Sequence, residues 1–376
     1  MSGTSPSAVD NPVEVLFSMY GMGAGGAERV ISIMANHWSS AETPTCLVTW
    51  APDPSFYSLH KDVEHIKLSM NEVSTNPFQA VLNNSRRMMA LRRIVKSKRP
   101  RAVISFMNKN NVRTLLACKG LGIPVVVSER NETTFDPLSL SWRRLVRLTY
   151  PWASRIVVQS ERAKTQMPSS WPITVIPNPI PKAPPRSADL STNHHVVIAM
   201  GRLDHQKGFD LLISAFSTLA HRYLDWTLII YGEGQLRSSL ENQITDLKLE
   251  NRIRLPGQTS DPSSAMYKAD IFVLSSRYEG FPNVLGEAMA HGLAVLSFDC
   301  PNGPREIIQP DINGILVHAE SVSELSAQLE TLMMNPSQRQ RLGLEAVKVT
   351  QQFSEEKVMS DWDRVLQEVP LRKRVN

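Results

Sequence analysis

The chain has 376 residues, 42% of them hydrophobic and 20% charged, which predicts two or perhaps three domains, each large enough for its own core. That composition excludes a disordered chain, a disulfide mini-protein and a collagen-like repeat, and Cys46, Cys118 and Cys300 stand too far apart for a C-x-x-C metal or redox pair, as suits a reducing compartment. The net charge of +5 is uneven: up to Lys182 there are 22 Lys+Arg against 12 Asp+Glu, and from Ala183 onward 19 against 24, so the first half carries +10 and should be drawn to an anionic partner.

From the N-terminus, Met1 to Asn11 is polar and lacks the charged-then-apolar order of a signal peptide. No uncharged apolar run reaches the ~18 residues of a membrane span. The expectation is a soluble cytoplasmic protein. Short apolar runs then alternate with helical patterns, the mark of parallel βαβ units. Strands are expected at 13–19, 45–49, 102–106, 125–128 and 156–159, with helices at 27–38, 77–98 and 140–150. Five prolines between Pro177 and Pro185, followed by a polar stretch to His194, read as a linker. The alternation restarts with strands at 196–200, 227–231, 253–255, 271–274 and 294–298, and helices at 208–221, 235–247 and 284–291. A last amphipathic helix is expected at 355–368. The reading is an α/β chain of two Rossmann-like parallel-sheet domains, 1–182 and 183–354. The 355–376 segment can pack back on the first domain, and a ligand cleft is expected between the two.

Three motifs carry chemistry. Gly21, Gly23 and Gly26 satisfy G-x-G-x-x-G after the first strand, and Asp53 follows the second. Three readings stay open there: a tight turn that needs φ > 0, a phosphate or sugar lying on bare backbone, or an NAD site. Next, Arg202 and Lys207 lie five residues apart between a strand end and a helix start, two cations suited to a diphosphate or else a solvated basic loop. Finally, 276–292 reads S-R-Y-E-G-F-P-N-V-L-G-E-A-M-A-H-G, with Glu279 in a loop and Glu287 in the following helix. Its helix N-terminus suits a phosphate, and its two carboxylates suit sugar and ribose hydroxyls.

Together, Glu279-x7-Glu287, Gly201-Arg202 with Lys207-Gly208, and Gly25-Gly26-Ala27-Glu28 resemble the retaining GT-B glycosyltransferases of family 4. Ile176-Pro-Asn-Pro179 and Tyr231-Gly-Glu-Gly234 match that family's domain junction and a strand end, so the resemblance covers nearly the whole chain. It implies a nucleotide sugar held by the C-terminal domain and an acceptor held by the N-terminal one. Arg202 and Lys207 would grip the diphosphate, Glu287 the ribose and Glu279 the donor sugar. The amides around Phe281, Pro282, Asn283 and Val284 would meet phosphate and sugar. Gly25 and Gly26 would admit the diphosphate from the other side, and the base would lie near Gly257. Retention in the family is explained by a front-face mechanism in which the leaving diphosphate helps deprotonate the acceptor. The resemblance favours a UDP-sugar, and a glycan or polyprenyl-linked acceptor in surface polysaccharide or lipopolysaccharide synthesis.

One departure concerns the N-domain loop, where many relatives carry a histidine. Here it reads Ser128-Glu129-Arg130-Asn131-Glu132, the nearest histidines being His60 and His65. Arg130, oriented by Glu129, is the expected substitute, against an ordinary polar loop with an internal salt bridge. Asp361-Trp-Asp363 lies in a helical stretch where i and i+2 side chains diverge, and His194-His195 reads as linker, so no metal site and no cofactor are expected. Residues 86–101 hold eight basic residues and no acid, with Met88, Leu91 and Val95 at helical spacing, and Trp142, Arg143, Arg144 and Arg147 form a second cluster. No nucleic-acid motif accompanies them. The expectation is a peripheral protein on the inner face of the plasma membrane, touching anionic lipid. The rival functions are a nucleotide-sugar 2-epimerase of the same architecture, an NAD-dependent dehydrogenase and a non-catalytic sugar-binding module.

Overall fold

Seven short runs in the first half lie side by side. β1 (Val15–Met19), β2 (Thr45–Thr49), β3 (Glu64–Lys67), β4 (Ala102–Phe106), β5 (Val125–Ser128), β6 (Arg155–Val158) and β7 (Ile173–Val175) form one sheet in the order β3-β2-β1-β4-β5-β6-β7. Every pairing is parallel. The computed structural model describes residues 14–72, 74–130, 138–185 and 194–369. The readings of 1–13, of Asn131 and Glu132, and of most of the polar stretch before His194 lie outside the described residues. β1, β2, β4 and β5 are buried at every position, hence their apolar character on both faces. Between the strands run α1 (Gly26–Ser40), α2 (Pro77–Lys98), α3 (Asn108–Cys118), α4 (Leu140–Thr149) and α5 (Glu161–Thr165).

The second half repeats the plan. β8 (Val196–Met200), β9 (Thr227–Tyr231), β10 (Ile253–Gly257), β11 (Ile271–Leu274), β12 (Ala294–Asp299) and β13 (Ile315–His318) form a parallel sheet in the order β10-β9-β8-β11-β12-β13. Its helices are α6 (Phe209–Ala220), α7 (Arg237–Asp246), α8 (Pro262–Tyr267), α9 (Asn283–Ala290), α10 (Pro304–Ile307), α11 (Val322–Met334), α12 (Pro336–Ala346) and α13 (Val349–Gln352). The chain order reverses at β8/β11 here and at β1/β4 in the first sheet, the topological switch points where α/β sheets hold ligands.

The two compact units are Met1–Ile176 with Met359–Asn376, and Pro177–Val358. The first boundary falls at Ile176 rather than Lys182 because Ile180 is buried in the second unit's core and donates its N–H to Phe353 O at 2.8 Å. The last helix, α14 (Glu355–Glu368), returns the chain to the first unit. Its Trp362 is fully buried and stacks on Phe106, with ring centroids 6.3 Å apart. Trp38 donates its indole N–H to Asp363 Oδ1 at 2.7 Å, and Arg155 pairs with Glu368 at 2.9 Å.

The basic helix forms where expected. Asn76 caps α2 by accepting from Gln79 N, and Pro77 opens it with φ already set. Its inward face is Asn83, Arg87, Leu91 and Val95. Two of its arginines are structural: Arg87 donates to Met70 O and Glu72 O at 2.6 and 2.8 Å, and Arg92 to Ala117 O and Lys119 O at 2.7 and 2.8 Å. Among the described residues, no helix is long and apolar enough to cross a membrane.

Candidate functional site

At the switch point of the second sheet, the loops after β8 and β11 are stitched together. Ser275 Oγ donates to Lys207 O at 2.9 Å, Arg277 N to Gln206 O at 2.8 Å, and Gln206 Nε2 to Tyr278 O at 3.0 Å. Gly208 makes this approach possible. It sits at φ +60°, and a Cβ there would strike Ser275 O. The stitching brings two of the candidate residues into contact. Lys207 Nζ lies 2.6 Å from Glu279 Oε1, which also accepts from Ser276 Oγ at 2.6 Å. Glu279 is only 5% exposed, so its charge is held by one cation and one hydroxyl away from water. Arg202 does the opposite: its side chain is 74% exposed, resting on Asp204 at 3.2 Å and on Gln206.

The Glu279 loop runs into α9. Phe281 is a core residue, packed edge-on against Phe353 at 5.6 Å, so only its backbone is left for a ligand. Pro282 has no N–H to give, which corrects its place among the expected amide donors; its carbonyl instead accepts from Leu285 N and Gly286 N. Asn283 opens the helix and its Oδ1 accepts from Asn178 Nδ2 at 2.6 Å. The Val284 amide lies in the first turn of α9, ahead of the helix's own i→i−4 ladder. Glu287 is half-buried in the same helix. Cys300 is buried near this cluster, its thiol pKa pushed up by burial and then by Glu279. At the end of β10, Gly257 has φ +91°, and a Cβ there would approach Glu233 Oε1 at 3.1 Å. Arg237 fixes Glu233 through two bonds and reaches Glu241 and Leu255 O.

In the first unit, the glycine loop bears on the tight-turn reading. Gly21, Gly23 and Gly25 are not among the positive-φ glycines, and Gly25 sits at φ −82°, ψ 163°. The turn does not require glycine for its dihedrals. A Cβ at Gly23 would meet nothing within 4 Å, and one at Gly25 only the Glu28 carboxylate.

Arg130 follows β5 and is buried at 8% exposure, its Nε donating to Ser128 Oγ at 2.7 Å and its guanidinium lying 4.6 Å from the Phe106 ring centre. Burial lowers its pKa from 12.5 to about 9, against the opposing pull of Glu129. Glu129 touches Arg130 through the latter's backbone N–H at 3.2 Å, while its other oxygen accepts from Tyr150 OH at 2.6 Å. Asn111 Nδ2 donates to Tyr150 OH and to Ser128 O, each at 3.1 Å. No sequence pattern signals these roles for Tyr150, Asn111 or Trp362, because they arise only when distant segments meet. His60 bonds Ser39 and His65 bonds Thr49. Asp361 pairs with Arg364 and Asp363 with Trp38, so the D-x-D carboxylates face different partners. Among the described residues, no three His, Cys, Asp or Glu gather as a metal site.

Two family models match this chain: Glycosyltransferase Family 4 over residues 24–183 and Glycosyl transferases group 1 over residues 184–349. The chain is 26% identical over 361 residues to a Campylobacter jejuni GalNAc-alpha-(1->4)-GalNAc-alpha-(1->3)-diNAcBac-PP-undecaprenol alpha-1,4-N-acetyl-D-galactosaminyltransferase, covering 95% of this chain and 99% of that one. It is also 26% identical to the amylovoran biosynthesis glycosyltransferase AmsD of Erwinia amylovora, covering 91% and 96%. Among solved structures it resembles sucrose-phosphate synthase from Thermosynechococcus elongatus, with TM-score 0.83, 16% identity and 95% and 98% coverage. It also resembles Anabaena HepE in complex with UDP and glucose, with TM-score 0.79, 20% identity and 95% and 100% coverage.

Proposed function

The chain belongs to the family 4 type of GT-B glycosyltransferases, and on that premise we propose that it moves a sugar, with retention, from a UDP-sugar to a glycan or lipid-linked glycan acceptor in surface polysaccharide synthesis. The observation that carries the proposal is the contact of the largely covered Lys207 with the buried Glu279 at the switch point, one loop away from the α9 N-terminus. That arrangement sets a fixed cation and a helix-terminal dipole beside a carboxylate that can accept from sugar hydroxyls. Lys207 and the exposed Arg202 would neutralise the departing diphosphate, with Val284 N–H at the helix end. Glu287 would accept from the ribose diol, and the bare backbone at Gly257 would receive the base. In the first unit, Gly25 and Gly26 would leave room for a phosphate, and Arg130 would meet the sugar.

In the proposed step the bond from the sugar's anomeric carbon to the diphosphate oxygen breaks first. The acceptor hydroxyl then adds from the same face and passes its proton to the leaving oxygen. No protein nucleophile is consumed, so the chain's contribution is electrostatic stabilisation of the leaving group. The UDP preference is supported by the likeness to HepE, solved in complex with UDP and glucose. The lipid-linked acceptor is supported by the Campylobacter relative, whose name specifies an undecaprenol-linked substrate. Such an acceptor would place the protein on the inner face of the plasma membrane.

Incubation with a panel of UDP- and GDP-sugars, with and without an undecaprenol-diphosphate glycan, tests this reading. Nucleotide release that depends on acceptor supports transfer. Free nucleotide with a 2-epimer, formed without acceptor, would instead support the epimerase. The diphosphate here is countered by Lys207, Arg202 and a helix end, so transfer is expected to persist in EDTA; a reaction abolished by EDTA and restored by one divalent metal would overturn that expectation.

A further inference from the structure

The turn His205–Lys207 offers three successive carbonyls to the segment that follows β11, and all three are taken. His205 O accepts from Arg277 Nη1 at 2.9 Å, Gln206 O from Arg277 N at 2.8 Å, and Lys207 O from Ser275 Oγ at 2.9 Å. Two of the three bonds come from one residue. The rest of the Arg277 fork reaches sideways. Nη1 and Nη2 donate to the two Asp210 oxygens at 2.9 and 2.6 Å, in the first turn of α6. Nε donates to Glu320 at 3.0 Å, just ahead of α11.

The Arg277 side chain is 12% exposed and makes four hydrogen bonds, so it has little left to offer a ligand. Lysine could not do the same, because a point charge cannot fork across one carboxylate while reaching a carbonyl and a second carboxylate. Burial works to raise the Asp210 pKa, but the hydrogen bonds and charge of Arg277 outweigh it and hold the carboxyl below its usual value. The pair is therefore ionised at neutral pH.

What this arrangement fixes is the meeting of two side chains. Lys207 stands two residues after His205, Glu279 stands two residues after Arg277, and Lys207 Nζ lies 2.6 Å from Glu279 Oε1. Gln206 adds a link on each side, accepting from Arg202 at 3.2 Å and donating to Tyr278 O at 3.0 Å.

We propose that Arg277 is a positioning residue for transfer: it clamps the Lys207 turn to the Glu279 loop through His205 O and Asp210, and so aims the Lys207 ammonium without touching substrate. The inference rests on the role given to Lys207 above, so its test includes a measurement made without donor or acceptor.

That measurement is acylation of the full-length protein by acetic anhydride, followed lysine by lysine by mass spectrometry. Losing a charged hydrogen bond opens a segment about tenfold more often, so Lys207 should react about tenfold faster in Arg277→Gln than in wild type. Lys268 and Lys348, both exposed in the same unit, should keep their rates. Arg277→Lys should fall between wild type and Arg277→Gln. Glu330→Gln is the control: it removes the ion pair with Arg222 elsewhere in the second unit and should leave Lys207 labelling and transfer unchanged. In the transfer assay, Arg277→Gln should lower kcat by at least ~10-fold, since displacing an aligned group by about 1 Å can cost ~10²-fold. The donor KM should change by less than about threefold, because the lost interaction belongs to the transition state. Where Arg277→Gln fails to fold, Asp210→Asn, which leaves Arg277 its bonds to His205 O and Glu320, repeats both measurements. Unchanged Lys207 labelling in these variants, or an equal rise in Glu330→Gln, would overturn the proposal. Faster labelling with undiminished transfer would support the clamp and overturn the diphosphate role of Lys207.

Discussion

Lys207→Ala is expected to lower transfer by at least ~10²-fold at saturating donor, the usual cost of removing one electrostatic partner of a transition state. It should also cost about 3 kcal/mol of stability, because Glu279 is left charged and buried with only Ser276 to hold it. Arg202→Ala separates the two effects. Its exposed ion pair with Asp204 contributes little to folding, so its melting temperature should match wild type while its rate falls comparably. Initial rates and thermal melts of both variants, with Glu279→Gln added to Lys207→Ala to remove the orphaned charge, measure this. Near-normal rates in both single variants would remove the diphosphate assignment. Recovery of stability without recovery of rate in the double variant is the expected pattern.

Trp362→Ala should destabilise the first unit by about 3–5 kcal/mol, the range for deleting a fully buried aromatic side chain. The loss has a specific destination. Phe106 touches both the Trp362 ring and the Arg130 guanidinium, so a cavity beside Phe106 loosens a contact that fixes Arg130. Trp362→Phe keeps a ring on Phe106 and should retain most of the stability. Urea unfolding followed by hydrogen exchange is the measurement: β4 and β5 amides should lose protection while those of β8 and β11 keep theirs. Equal protection in β4 and β5 would show that α14 is a passive cover.

Sequence pattern revealed those parts of the fold that are buried on both faces. β4, β5, β8 and β11 are predominantly apolar runs, and their bounds match the expected ones. β3 and β7 went unseen because they are the edges of their sheet, short and only partly covered. α3 was missed for another reason. Asn108, Asn110 and Asn111 are poor helix formers and give it no apolar face, yet all three are buried. Asn110 Nδ2 donates to Ser18 O at 2.7 Å and Asn111 Nδ2 to Ser128 O at 3.1 Å, so their polarity is spent on strand ends.

The site divides in the same way. Glu279, Phe281 to Val284 and Glu287 form one contiguous run, legible because loop and helix follow each other in sequence. The support for Arg130 was illegible because Tyr150, Asn111 and Trp362 come from three other elements. The basic helix shows charge without direction: eight cations can be counted over 86–101, but that Arg87 clamps two carbonyls depends on where the Met70–Glu72 segment passes. Arg87 and Arg92, which a charge count would treat like Arg86 and Arg93, are thus pieces of the scaffold.

The return of α14 has a consequence for how the protein is born. A chain leaving the ribosome completes its N-terminal segment first, but here that segment is unfinished when Ile176 emerges. Phe106 and Trp38 must wait for Trp362 and Asp363, which follow Ile176 by about 190 residues, roughly 10–40 s at ~5–20 residues per second. The second unit, continuous from Pro177 to Val358, can close before the first has its last piece. The order of folding therefore runs against the order of synthesis, and a nascent chain arrested before α14 exposes aromatic surface to chaperones at its oldest end.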